Sequence, residues 1–225
     1  MMPVLDEAEG IVAALSALCA LRRRGAEVIV VDGGSRDDTV TLARPFADLV
    51  FAAPRGRAAQ MNAGAAKAGG DVLLFLHADT RLPENADRLA LTALAASGRC
   101  WGRFDVTLIG QPRMLRLVAL MMNLRSRLTG VATGDQAIFM RRDAFEKAGR
   151  YPDIPLMEDI AVSKALRRLS SPVALRERVS VSARRFEAKG PWRLVLLMWR
   201  LRFAYWLGAD PHELARLYGY VPRES

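Results

Sequence analysis

Glu27-Val28-Ile29-Val30-Val31-Asp32, followed at once by Gly33-Gly34-Ser35-Arg36-Asp37-Asp38-Thr39, is the stretch on which the reading of this chain turns. An unbroken β-branched run bounded by turn residues is the pattern of a strand buried on both faces, as in a parallel sheet. It delivers Asp32 to the strand's C-terminal end, ahead of a glycine turn and a helix expected over 35–43. In open α/β sheets that rim is where ligands bind. Ser35 with Asp38 three residues on is expected to open the helix as a capping-box-like start. Asp32 is not needed for such a cap and is expected to face the crevice, where a base or ribose contact suits it.

Working outward, Leu49–Ala52 reads as a shorter strand and Arg57–Ala68 as an Ala-rich helix stopped by Gly69-Gly70. Asp71–Leu76 (DVLLFL) reads as a second buried strand. This alternation predicts an α/β fold with a largely parallel central sheet flanked by helices. Beyond it the spacing predicts a strand over 101–109, a helix over 112–128, a strand over 136–140 and a helix over 158–169. An extended segment over 173–186 follows, with Val173, Leu175, Val179, Val181 and Ala183 on one face, then helices over 192–207 and 212–218. No repeat or linker divides the chain. A single domain over 1–225 is expected, with halves at 1–100 and 101–189 and C-terminal helices at 190–225.

The 225 residues are 51% hydrophobic, enough to bury a sizeable core, which excludes a disordered chain. The net charge of +9 favours anionic partners such as lipid headgroups or a diphosphate. Arginines are scattered along the chain without a nucleic-acid-binding pattern, so no nucleic acid is expected. Cys19 and Cys100 are isolated, which argues against a zinc site or disulfide framework and fits a cytoplasmic setting. The first ten residues lack the basic stretch and apolar core of an export signal. Apolar runs such as Leu194–Trp199 fall far short of the ~20 residues a membrane span requires.

Leu76-His77-Ala78-Asp79-Thr80 sets a second carboxylate on the same rim. Hard cations are typically held by one or two carboxylates with substrate phosphates. Asp79 therefore suits Mg²⁺ or Mn²⁺, although an acid before Pro83 also serves simply to turn the chain. Arg55-Gly56-Arg57, opening a helix, has the makeup of a diphosphate contact. Glu158-Asp159 opens another helix behind Tyr151-Pro-Asp-Ile-Pro155, a loop-forming stretch able to present a carboxylate to a cleft.

In order along the chain these blocks resemble an inverting GT-A glycosyltransferase of family two. Pro3-Val4-Leu5-Asp6-Glu7 resembles that family's opening P-x-x-N-E, and Asp32 to Thr39 its D-G-S-x-D-x-T. His77-Ala78-Asp79 stands where its D-x-D lies. Gly134-Asp135-Gln136 resembles the acceptor-side loop, and Met157-Glu158-Asp159 the E-D motif that carries the base. FLHADTRLP, GDQ, PLMED and SxRRF together resemble a small bacterial subgroup bearing an arsenosugar-biosynthesis label. The resemblance implies a nucleotide-sugar donor, a UDP-sugar first among them, and a divalent metal at Asp79. It implies donor contacts from Pro3, Leu5, Glu7, Asp32, Arg57, Asn62, His77 and Ala78. Gly134, Asp135 and Gln136 fall on the acceptor side, Arg184 and Arg185 near the diphosphate, and Asp159 as base with Glu158 beside it.

The segment Trp192–Trp206 is rich in Trp and Arg. It fits a helix packed over the sheet or against a second copy in a homodimer, and also one lying in an anionic membrane interface at the inner face. Two other functions compete. A nucleotidyltransferase-like enzyme calls for a Gly-rich loop after the first strand, where this chain has Leu5-Asp6-Glu7-Ala8. A non-catalytic basic membrane module leaves Asp32, Asp79 and Asp159 without a common purpose.

Overall fold

Three parallel strands carry the N-terminal half: β1 (Met2–Val4), β2 (Ile29–Asp32) and β3 (Leu49–Ala52), in sheet order β1-β2-β3. The computed structural model describes residues 1–111, 114–184 and 190–220. A second ladder has the order β4-β7-β6-β8-β5, made of β4 (Val72–Leu74), β5 (Thr80–Arg81), β6 (Trp101–Ile109), β7 (Phe139–Arg141) and β8 (Val173–Ser182). The Met1 amino group donates to the Leu74 carbonyl at 2.8 Å and Leu76 N–H to the Met1 carbonyl at 3.0 Å, joining the ladders into one sheet. Pairing is parallel within β1-β2-β3 and between β6 and β8. It is antiparallel where β7 meets β4 and β6, and where β5 meets β8.

Helices α1 (Ala8–Ser16), α2 (Cys19–Arg23), α3 (Thr39–Ala43), α4 (Arg57–Lys67) and α5 (Ala86–Ser97) follow or cover the first strands. They are succeeded by α6 (Met114–Thr129), α7 (Arg142–Lys147), α8 (Glu158–Leu169), α9 (Pro191–Trp206) and α10 (Pro211–Tyr218). Ile29, Val30 and Val31 are fully buried, as a strand covered on both faces requires. One core cluster packs Val30, Leu15, Phe104 and Val179 between sheet and helices. A second gathers Phe75, Phe145 and Tyr151 against α4, α7 and α8. A cavity of about 670 Å³ lined by Met2, Val28, Gly69 and Leu73 opens at the strands' N-terminal ends, opposite the carboxylate rim.

Several expectations are corrected. The helix expected from Ser35 begins only at Thr39, and neither Ser35 nor Asp38 caps it. Ser35 instead donates its hydroxyl to Asp32 and accepts from Asp6 N–H at 2.9 Å, because the two strand-end loops bind each other. The strand expected over 136–140 begins at Phe139, since 134–136 form a 3₁₀ turn. The last extended segment is strand only to Ser182, and its tail from 185 lies outside the described residues, as do residues 112 and 113 at the expected start of α6. Among the described residues, no helix is long and apolar enough to cross a membrane.

Candidate active site

Because β1, β2 and β4 run parallel, the loops after all three emerge on one rim, and that rim carries two groups of acids. The first centres on Asp32, whose carboxylate accepts from Gly34 N–H at 2.9 Å and from the Ser35 N–H and hydroxyl. Asp6, held at φ 51, accepts from Arg36 N–H at 2.8 Å. Asp37 accepts from Ala8 N–H at 3.0 Å and from Thr39. Together these bonds fasten the loop after β1 to the loop after β2. The Thr39 hydroxyl and the Ala8 N–H hold the Asp37 carboxyl below its ordinary value. Beneath them the buried Gln60 amide of α4 donates to the carbonyls of Val4 (2.9 Å) and Val31 (2.7 Å). Pro3 pairs in register with Val31 in β1, with Leu5 and Glu7 in the loop beyond it.

The second group forms where the loop after β4 meets the 3₁₀ turn Gly134–Gln136. His77, Asp79 and Asp135 each offer a ligand atom within 4.8 Å of the others. His77 Nδ1 lies 3.5 Å from Asp135 Oδ1. Ala78, between His77 and Asp79, packs into the core below. The approach depends on glycine: a Cβ built on Gly134 falls 2.5 Å from His77 Nε2 and closer still to Cε1. Gly134 N–H in turn donates to Asp159 Oδ2 at 2.9 Å, while Asp159 Oδ1 accepts from Ile160 N–H at 2.7 Å.

Glu158 is 4% exposed, and its Oε1 lies 4.0 Å from Arg57 Nη1 at the start of α4. Burial and the adjacent Asp159 charge push the Glu158 carboxyl up to about 7, against the opposing pull of Arg57 and His77. Burial works to lower Arg57, but Glu158, Asp135 and Asp159 hold it above its ordinary value. Met157, just before the pair, sits in the left-handed region at φ 69, and Ala137, just after the 3₁₀ turn, at φ 45. Non-glycine residues held there store roughly 1–3 kcal/mol each, and they gather at functional sites.

Other residues have different surroundings from those expected. The Asn62 amide donates to the Tyr151 carbonyl at 2.8 Å and accepts from Tyr151 N–H at 3.1 Å, so it ties α4 to the loop before α8. Gln136 is fully buried, and its Oε1 accepts from Thr133 N–H at 3.2 Å, bracing the turn from below. Arg184 reaches Glu7 at 3.8 Å and Glu9 at 3.6 Å on the outer rim. Arg185 lies outside the described residues.

The sequence reading set Asp135 on the acceptor side; here its carboxylate stands with His77 and Asp79. Two cations escaped that reading altogether. Arg125 and Arg202 turn guanidinium atoms inward, where the Asp159 charge partly offsets the burial that lowers both. Their spacing was the available signal, since Arg125 falls seven residues after buried Val118, and Arg202 eight after buried Leu194.

The rim thus carries a His-Asp-Asp cluster beside a second acidic pair, on a fold of the GT-A class. The chain belongs to glycosyl transferase family 2, whose family model matches residues 1–149. It is 33% identical over 157 residues to an uncharacterised glycosyltransferase found in two strains of Mycobacterium tuberculosis. That match covers 65% of this chain and 59% of those relatives' length. Among solved structures it resembles S. aureus TarS bound to UDP-GlcNAc (TM-score 0.66, 17% identity, 81% of this chain and 57% of that one). It also resembles a Pyrobaculum calidifontis mannosyltransferase with GDP-Man and Mn²⁺ (0.63, 22%, 90% and 59%). A third is M. tuberculosis glucosyl-3-phosphoglycerate synthase with Mg²⁺ and UDP (0.57, 20%, 80% and 68%). At these identities the likeness concerns the fold, which is the GT-A fold.

Proposed function

We propose that this protein transfers a sugar from a nucleotide-sugar donor, a UDP-sugar first among them, to an acceptor hydroxyl with inversion. The observation that carries this reading is the convergence of His77, Asp79 and Asp135 within 4.8 Å, with Asp159 tied to the same turn through Gly134. One imidazole and two carboxylates suit Mn²⁺ or Mg²⁺. A divalent ion held by these three residues would supply positive charge against the departing diphosphate. Solved relatives of the same fold hold Mn²⁺ with GDP-Man and Mg²⁺ with UDP.

The remaining work falls to side chains. Asp32, with the Gly34-Ser35 turn fastened to it, receives base or ribose, and Pro3, Leu5 and Glu7 border the same pocket. Arg57 adds positive charge near the diphosphate, with Arg184 at the rim. Asp159 takes the acceptor proton: each of its oxygens accepts one backbone N–H and keeps a second lone pair. A single displacement inverts the anomeric centre and needs only one base, on the acceptor side. Glu158, paired to Arg57, positions Asp159.

The test is thermal unfolding with UDP, GDP or dTDP, with and without Mn²⁺, joined to sugar-nucleotide turnover. Metal-dependent stabilisation by one nucleotide, lost in Asp79→Ala, is expected. Asp159→Asn keeps that binding and loses ~10²- to 10⁴-fold in rate. Nucleotide response without metal dependence overturns the metal assignment, and near-normal turnover of Asp159→Asn moves the base elsewhere.

The same reading includes contact with an anionic membrane through α6 and α9. Leu194 and Leu201 bury one face of α9, while Leu196, Trp199, Phe203 and Trp206 on the other are each more than half exposed. Leu117, Leu120, Leu124 and Leu128 of α6 are likewise exposed. An apolar aromatic face of this kind, with arginines on the same helix, suits a lipid interface. A homodimer covering the same face is the competing arrangement.

A further inference from the structure

Gln60 is a polar residue where α4 has no need of one. It lies on the helix's buried face, with Ala58, Met61, Gly64 and Ala65. Burying an amide is unfavourable unless its hydrogen bonds are made, and an apolar side chain of the same length packs without that penalty. Nor does the helix depend on Gln60 for its attachment. Gly64 comes so near β2 that a Cβ built on it falls 3.1 Å from Val31 Cγ2. Asn62 binds the Tyr151 backbone in both directions, and Arg142 donates to the carbonyls of Ala65 at 3.0 Å and Ala68 at 2.6 Å.

The amide hydrogens of Gln60 reach two particular carbonyls, Val4 at 2.9 Å and Val31 at 2.7 Å. Val4 is in register with Asp32, and its carbonyl also accepts from Gly33 N–H at 2.9 Å. A carbonyl has two lone pairs, so the side chain adds to this last rung between β1 and β2 without displacing it. Beyond that rung the strands part into the rim loops. The two carbonyls belong to the peptide units that lead into Leu5 and Asp32, so each bond stops one covalent link short of a residue assigned to the nucleoside pocket. A glycine permits the approach: a Cβ built on Gly33 falls 3.0 Å from Gln60 Oε1 and 3.1 Å from Cδ. Gly33 is not among the glycines at positive φ, so the absent Cβ serves this contact and not a strained backbone. Three residues before Gln60 the same helix carries Arg57, assigned to the diphosphate.

We propose that Gln60 is a positioning residue for the donor. It clips the ends of β1 and β2 at one spacing and registers them against Arg57, so that base and ribose enter a preformed pocket. It acts through Leu5 and Asp32 and not on the reacting atoms. The proposal rests on the nucleotide-sugar reading of the site.

Gln60→Met keeps the length and the apolar packing and removes both donors. Calorimetry below the unfolding transition titrates the folded protein with UDP in saturating Mn²⁺, or with GDP or dTDP where the wild-type melt selects one of those. The variant is expected to bind the nucleotide at least about tenfold more weakly. Mn²⁺ alone should bind as in wild type. In turnover the KM for sugar nucleotide should rise by a similar factor, with kcat within about twofold. A merely structural amide lowers the melting temperature and leaves the affinities of the folded protein where they were. Gly33→Ala attacks the same contact from the other side, pressing a methyl on the amide, and should weaken the nucleotide in the same way. Combined with Gln60→Met, whose flexible thioether yields to that methyl, the two losses should not add. The proposal is overturned if Gln60→Met binds nucleotide as wild type does, if nucleotide and Mn²⁺ affinities fall together, if the loss is in kcat alone, or if the two losses add in full. Should Gln60→Met fail to fold, Gly33→Ala decides by the same readouts. Failure of the glycosyltransferase reading appears separately, as a wild type that responds to no nucleotide, and this proposal falls with it.

Discussion

Glu158→Gln isolates a single titration. In the folded protein burial and Asp159 raise this carboxyl from an ordinary 4.5 to about 7. Between those two values the native state keeps a proton that the unfolded chain has released, so stability falls as pH rises. The contribution is fully present below about 4.5 and lost above about 7. At about 1.4 kcal/mol per pH decade the window is worth on the order of 3 kcal/mol. Glutamine has no proton to lose, so the variant should be spared this decline. Removing the Arg57 partner adds an offset, but Arg57 stays charged throughout and the offset does not vary with pH. Urea unfolding of both proteins in EDTA, between about pH 5 and pH 8, gives the difference curve in which titrations not linked to Glu158 cancel. That difference should move towards the variant by roughly 3 kcal/mol as pH rises. A flat curve, or one moving towards wild type, refutes the reasoning, the latter because it would make Arg57 stronger than burial.

Gly134→Ala should place a methyl against the His77 ring, and Mn²⁺ affinity measured by calorimetry should fall by about tenfold or more; unchanged affinity would mean that His77 is not needed at the metal. Trp199→Ser with Phe203→Ser should release the protein from anionic vesicles in co-sedimentation. Wild type should be released by salt, as the Debye length contracts from ~10 Å at 0.1 M to ~3 Å at 1 M. A wild type that never exceeds the neutral-vesicle background, and that sediments as a dimer, would assign the apolar face to a second copy.

Elements whose apolar runs end at strong breakers were legible. The strands Leu49–Ala52 and Trp101–Ile109 and the helix Glu158–Leu169 have the bounds their sequences predict. α1, α2, α5 and α7 were not, because weakly amphipathic segments such as Ala86–Ser97 acquire helical stability from packing on the sheet. The rim carboxylates Asp32 and Asp79 were visible from strand ends alone. The partnership of Asp135 with His77 was not, since it depends on a close approach that only the absent Cβ of Gly134 permits. Local motif logic misled at Ser35: a helix-start pattern in one segment was overruled by hydrogen bonds to another, at Asp6.

The 3₁₀ turn at Gly134–Gln136 has one further consequence. Its Asp135 side chain stands in the proposed metal cluster, and its Gly134 amide grips Asp159. The proposed metal cluster and the proposed base are thus both tied to neighbouring residues of a single short turn, braced from below by buried Gln136. Facing them along the rim are the loops after β1 and β2, which Asp6, Ser35 and Asp37 lace to each other.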